Sequence, residues 1–166
     1  VSTPIILYNV PSRTGVDIKP ETYAELCQHE RIVATKEANG NIAALAKTIR
    51  LCGDKLDIYS GNDDQITAFM SLGAKGVISV LSNICPNEAH EIAARALRGD
   101  FKGSAELQMK YLDLINKLFM DVNPIPVKEA MNIMGFECGE CRMPLAPLSP
   151  ADHEKMVETL KAYKLI

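Results

Sequence analysis

The sequence predicts an α/β fold in which four successive βα units are followed by a helical region. Three observations lead there. Short apolar runs recur through the first hundred residues, mostly continuous rather than alternating, as in strands buried on both faces of a parallel sheet. Each run is followed by a helical stretch with a recognisable start and stop. Beyond residue 99 the strand-like runs cease and only helical patterning remains.

In chain order, Ile5-Ile6-Leu7-Tyr8, Ile32-Val33-Ala34, Leu56-Asp57-Ile58-Tyr59 and Gly76-Val77-Ile78-Ser79-Val80-Leu81 read as the strands. The first helix is expected near Pro20 to Gln28, since proline suits a first helical turn. The second runs near Asn41 to Cys52, apolar at Ile42, Leu45, Ile49 and Cys52, and closes on Gly53. The third opens at Asn62-Asp63-Asp64, whose acid suits a helix N-terminus, and ends at Gly73; the fourth runs from Pro86 to Gly99. Three more helices follow: Asp100 to about Met120, Pro126 to Gly135, and one opened by Ser149-Pro150-Ala151-Asp152 and carrying Met156, Val157 and Leu160. Four βα units fit either a small open sheet or half of a barrel, since a whole (βα)₈ barrel takes about 250 residues. The pattern alone leaves both open.

A hydrophobic content of 47% and a net charge of −3 describe a globular protein, and no basic stripe marks a nucleic-acid partner. The longest apolar run, around Val77 to Val80, is too short to span a bilayer, and no secretory leader is expected. Five scattered cysteines favour free thiols in a reducing compartment, so a cytoplasmic protein is expected. Cys138-Gly139-Glu140-Cys141 is a lone C-x-x-C with no second pair or suitably spaced histidine, which argues against zinc or redox work. His29, His90 and His153 are far apart and read as surface residues. No G-x-G-x-x-G fingerprint is present.

The chemistry sits at two strand ends. Tyr8 closes the first apolar run and Lys36 closes the second, so both side chains emerge at the same rim of a parallel sheet. An amine must be neutral to attack a ketone, and the end of an apolar strand is a place where burial favours that form. A tyrosine beside it can shuttle a proton as an imine forms and hydrolyses. Arg13, on the loop between Pro11 and Gly15, suits bidentate capture of a carboxylate. Each has an ordinary alternative: a solvated rim lysine, a half-buried tyrosine, an arginine in a surface ion pair.

Tyr8-Asn9-Val10-Pro11-Ser12-Arg13-Thr14-Gly15 and Lys36-Glu37-Ala38 closely resemble the two strand-end motifs of the dihydrodipicolinate synthase (4-hydroxy-tetrahydrodipicolinate synthase) family of pyruvate-dependent Schiff-base aldolases, at that family's spacing. Ser60-Gly61-Asn62-Asp63-Asp64, Gly73 to Val80, Asn123-Pro124-Ile125-Pro126-Val127-Lys128 and Cys141-Arg142-Met143-Pro144-Leu145 resemble later stretches of it, in order. The resemblance implies the C-terminal half of a TIM (β/α)₈ barrel over residues 1–99, followed by a C-terminal helical region over residues 100–166.

It also implies that Lys36 forms a Schiff base with pyruvate, that Tyr8 donates and accepts the protons, and that Arg13 holds the carboxylate of L-aspartate 4-semialdehyde. The backbone around Ile78 and Gly61 would line the pyruvate site. No metal or organic cofactor is implied, because the imine is the electron sink. Thr35 stands where the family more usually has an aliphatic residue, a departure expected in the pocket wall. Arg13 favours the dipicolinate branch over related aldolases of sialic or sugar acids, which remain an alternative.

The first residue is Val1 rather than Met, and the resemblance places it just before the fifth barrel strand. A piece of a longer chain is therefore expected, with the N-terminal half of the barrel as its missing partner and a homotetramer as the complete form. Alone, such a half exposes two sheet edges and one uncovered face. It is expected to be inactive or nearly so, and an inactive half-barrel or oligomerisation module is the other reading of the chain.

Overall fold

The computed structural model describes residues 2–166. Strands β1 (Ile5–Asn9), β2 (Ile32–Glu37), β3 (Asp57–Ser60) and β4 (Gly76–Val77) form one sheet in the order of the chain. All three pairings are parallel. The helices are α1 (Pro11–Thr14), α2 (Pro20–Leu26), α3 (Ile42–Cys52), α4 (Ile66–Ser71), α5 (Pro86–Leu97), α6 (Phe101–Lys117), α7 (Ile125–Ile133) and α8 (Pro150–Ala162). Among the described residues no helix is long and apolar enough to cross a membrane.

The helix ends follow the chemistry of their sequences. The Asn41 side chain accepts the N–H of Ala44 at 3.0 Å to start α3, and Asp100 accepts that of Gly103 at 2.9 Å to start α6. Ser149 does the same for Asp152 at the start of α8. Helix α3 stops on Gly53, which adopts a positive φ of 55° that side-chain-bearing residues resist.

Two elements differ in extent from expectation, and α1 is an addition to it. The fourth strand is cut to two residues because the buried Asp63 carboxylate accepts the N–H groups of Val80 and Leu81, both at 2.9 Å, and turns the chain into a 3₁₀ turn. The same Asp63 sits in a 3₁₀ turn (Asp63–Gln65), so α4 begins later than its acidic opening suggests.

Side chains alternate across the strands, and the two faces have different fates. Leu7 packs with Tyr23, Cys27, Cys52 and Leu56 in a small cluster beneath α2 and α3. Ile58 joins the larger core with Leu45, Ile66, Phe69, Leu81 and Ile92. The other face carries Ile6, Tyr8 and Ile78, all exposed, beside the half-buried Lys36 and Tyr59. An apolar sheet face is thus left without a covering layer among the described residues.

The helices after residue 99 share the larger core through Leu114, Ile115, Leu118, Met156 and Leu160. Polar contacts pin them as well: Gln108 of α6 accepts the Thr67 N–H at 2.8 Å, satisfying a first-turn donor of α4, and donates to the Asp64 carbonyl. Phe69 is fully buried in that core, whereas Leu97 is 62% exposed. Phe69→Ala is expected to destabilise the chain by about 3–5 kcal/mol in urea titration. Leu97→Ala should stay within about 0.5 kcal/mol, and equal losses at the two positions would contradict this core.

Candidate active site

The parallel register sets Tyr8 opposite Lys36 and Asn9 opposite Glu37 at the C-terminal ends of β1 and β2. Lys36 Nζ lies over the Tyr8 ring, 4.2 Å from its centroid, within cation–π range. Both open into a cleft of about 400 Å³ at the strand ends, whose wall also includes Arg13, Gly61, Val80, Phe119 and Asn123. The Arg13 guanidinium donates to the Asn123 carbonyl at 3.2 Å, a bond that uses one of its five N–H donors. Of the five residues singled out from the sequence, Tyr8, Lys36, Arg13 and Gly61 meet at this cleft. Ile78 does not line it; it lies beyond β4 with its N–H on the Ser60 carbonyl at 2.9 Å.

Gly61 is there for want of space. A Cβ at this position would stand 2.7 Å from the Ala38 Cβ and 3.1 Å from the Glu37 carbonyl oxygen. Its N–H donates to that carbonyl at 2.8 Å, which draws the end of β3 against the segment after Lys36.

Behind the strand ends, on the helix side, lies a buried polar network. Glu37, 4% exposed, accepts from Asn9 Nδ2 on both oxygens at 3.0 Å, from the Tyr23 hydroxyl at 3.0 Å and from the Asn39 N–H at 2.8 Å. Thr35 donates its hydroxyl to Tyr23 Oη at 3.0 Å. Asn9 also donates to Asp17 at 2.9 Å and accepts the Ile18 N–H, anchoring the segment that follows α1 and its Arg13. Burial pushes the Glu37 carboxyl above the usual carboxylate range, against the lowering effect of its donors, and pushes the Tyr23 phenol up as well. Asp17 goes the other way, to about 2, through hydrogen bonds from Lys19, then Asn9 and Asn39.

Contrary to expectation, Thr35 does not stand in the pocket wall. It is one residue from Lys36, so it points to the opposite face of β2, where it is 1% exposed. Asn9, Tyr23 and Glu37 went unassigned in the sequence, although polar residues closing apolar runs on the covered face were a signal for Asn9 and Glu37. Phe119 and Asn123 arrive from the helical region, over a separation that no local pattern encodes.

A parallel sheet with a cleft outside the carboxyl ends of its strands places the chain among α/β proteins of the kind that carry ligand sites there. The sequence profile described as the Dihydrodipicolinate synthetase family matches residues 1–163. A 4-hydroxy-tetrahydrodipicolinate synthase of Lachnoclostridium phytofermentans is 52% identical over 167 residues, covering 100% of this chain and 57% of the relative. The crystal structure of dihydrodipicolinate synthase from Aquifex aeolicus superposes with a TM-score of 0.97 at 42% identity, over 99% of this chain and 57% of that one. The chloride-inhibited enzyme from Acinetobacter baumannii, complexed with pyruvate, gives 0.96 at 39% identity over 100% of this chain and 57% of that one. The chain belongs to the dihydrodipicolinate synthetase family, and it spans a little over half the length of these relatives.

Gly61→Ala is expected to push the Ala38 segment away from β3 and to cost about 1–3 kcal/mol. Adding Ala38→Gly should recover most of the loss in the same denaturation series; no recovery would mean that the close approach to Ala38 is not what excludes a side chain. Because its pKa is lower in the fold, Asp17 contributes stability that is present above the ordinary carboxylate pKa of 3.8 and lost as pH falls through about 2. Melting curves between pH 5 and pH 2 should show Asp17→Asn losing less stability on acidification than the parent, and parallel curves would refute this.

Proposed function

We propose that the chain supplies the imine-forming half of a synthase that condenses pyruvate with L-aspartate 4-semialdehyde to 4-hydroxy-tetrahydrodipicolinate, in the biosynthesis of diaminopimelate and lysine. The observation that carries this reading is the Lys36 amine over the Tyr8 ring at 4.2 Å, at the mouth of a cleft that also holds Arg13. Family membership and a relative's complex with pyruvate support the choice of keto acid.

In this reading the neutral Lys36 amine attacks C2 of pyruvate. The carbinolamine loses water as Tyr8 donates a proton to the departing hydroxyl, leaving an imine. Loss of a C3 proton gives the enamine, whose C3 attacks the aldehyde carbon while the new alkoxide takes a proton. The substrate's own amine then adds to C2, closing the ring and expelling the Lys36 amine. Arg13 holds the carboxylate of the semialdehyde as a bidentate donor. Gly61, in the cleft wall, flanks the pyruvate. The protonated imine itself withdraws electrons from C3, so the scheme calls for no added cofactor.

The architecture proposed around this site is the C-terminal half of a (β/α)₈ barrel, residues 1–99, extended by the helical region 100–166. The bare sheet face bearing Ile6, Tyr8 and Ile78 is then the barrel interior, covered by an N-terminal half that the relatives' greater length accommodates. Complete barrels would assemble as a homo-oligomer in the cytoplasm.

The test is borohydride trapping with pyruvate, read by intact mass and peptide mapping. A pyruvate-derived adduct on Lys36, absent in Lys36→Ala, is expected, together with negligible turnover until the missing half is added. Arg13→Ala on the complemented protein should raise KM for the semialdehyde roughly tenfold or more while leaving trapping intact. An adduct elsewhere, or none on a folded complemented protein, would remove Lys36 from the mechanism.

A further inference from the structure

We infer that Glu37 is a positioning residue, which holds the Lys36 amine over the Tyr8 ring by clamping the ends of β1 and β2 from the opposite face of the sheet. Only the chemical purpose of this arrangement rests on the Schiff-base reading above; the clamp itself stands on geometry.

Glu37 and Asn9 are the residues next after Lys36 and Tyr8, and they face each other in the register. The Asn9 amide donates to both carboxylate oxygens, so it bridges the strands side chain to side chain at the point where the backbone ladder ends. The ladder's last rung, the Ala38 N–H to the Asn9 carbonyl at 2.9 Å, lies directly above. The Tyr23 hydroxyl fixes the carboxylate from α2, and Thr35 orients that hydroxyl. The Asn39 N–H fixes it from the loop beyond Ala38, a residue of the cleft wall. Every contact Glu37 makes is a donor pointing at an acceptor, and they come from β1, α2 and the β2–α3 loop. Lys36 cannot shift along its strand or twist about it without breaking several of them.

The burial of this network makes it costly unless complete. A hydrogen-bonded carboxylate only 4% exposed contributes little to a surface, while an aliphatic pair at Asn9 and Glu37 would avoid the desolvation altogether. What the polar set supplies instead is directionality, and the groups it orients are the backbones of Tyr8 and Lys36.

The test uses the whole chain with Glu37→Gln and Tyr23→Phe. Glutamine keeps the shape but puts a donor where three donors converge; phenylalanine removes a single bond. Circular dichroism and melting report the fold. The ring-current shift of the Lys36 ε-methylene protons reports their seat over Tyr8, and the rate of pyruvate trapping reports its use. Upfield-shifted ε protons are expected in the parent, with Glu37→Gln returning them toward the position of a free lysine and slowing trapping about tenfold or more. Tyr23→Phe, still folded, should move both in the same direction to a smaller extent. Unchanged shifts in folded variants would overturn the clamp while leaving the Schiff-base reading intact. Displaced shifts with no trapping even in the complemented parent would support the clamp and count against Lys36 as the imine-former. Loss of fold in both variants would show that Glu37 builds the domain rather than aims the lysine, and would also overturn the inference.

Discussion

A strand has only two sides, and β2 uses both within three residues. Thr35 and Glu37 go to the helices, and Lys36 goes to the bare face. Each side constrains the other. The helix-side residues are buried and must find partners, which they do in Tyr23, Asn9 and Asn39. The intervening lysine inherits whatever position those bonds dictate. Because β1 is paired in parallel with the same register, Tyr8 is carried to the same rim. Gly61 then brings β3 up to that rim by omitting a side chain. The rest of the cleft is arranged around these few backbone positions.

The helical region is part of this arrangement rather than an appendage. Gln108 and Ser104 dock α6 on α4 and α5, since Ser104 donates to the Ile92 carbonyl at 2.7 Å and contacts the Thr67 hydroxyl. The segment after α6 is thereby fixed where Phe119 and Asn123 reach the cleft. An extension that began as helix packing ends as a wall for the site.

Much of this could be read from the residues. Continuous apolar runs gave parallel strands, because burial on both faces erases alternation, and capping residues marked α3, α6 and α8 within a residue or so. The pair Tyr8 and Lys36 was legible as two strand ends. What escaped was decided by contacts between distant segments. Asp63 captures two N–H groups that would otherwise extend β4. Thr35 looked like pocket wall because it neighbours Lys36, yet neighbours on a strand are on opposite faces. The short helix α1 has no apolar periodicity to announce it; its backbone bonds, such as Gly15 N–H to the Pro11 carbonyl, arise from the turn itself.

The bond from Arg13 to the Asn123 carbonyl joins residues 110 positions apart. A ribosome adding about 5–20 residues per second takes roughly 5 to 20 s to cover that distance. During that interval the strand ends are made one after another, without the wall that finishes their cleft. The lysine-bearing floor can pair and settle early, while the enclosing segment is made after all four strands. Ligand binding that depends on enclosure is therefore acquired late in the life of each nascent chain, after the sheet on which it rests.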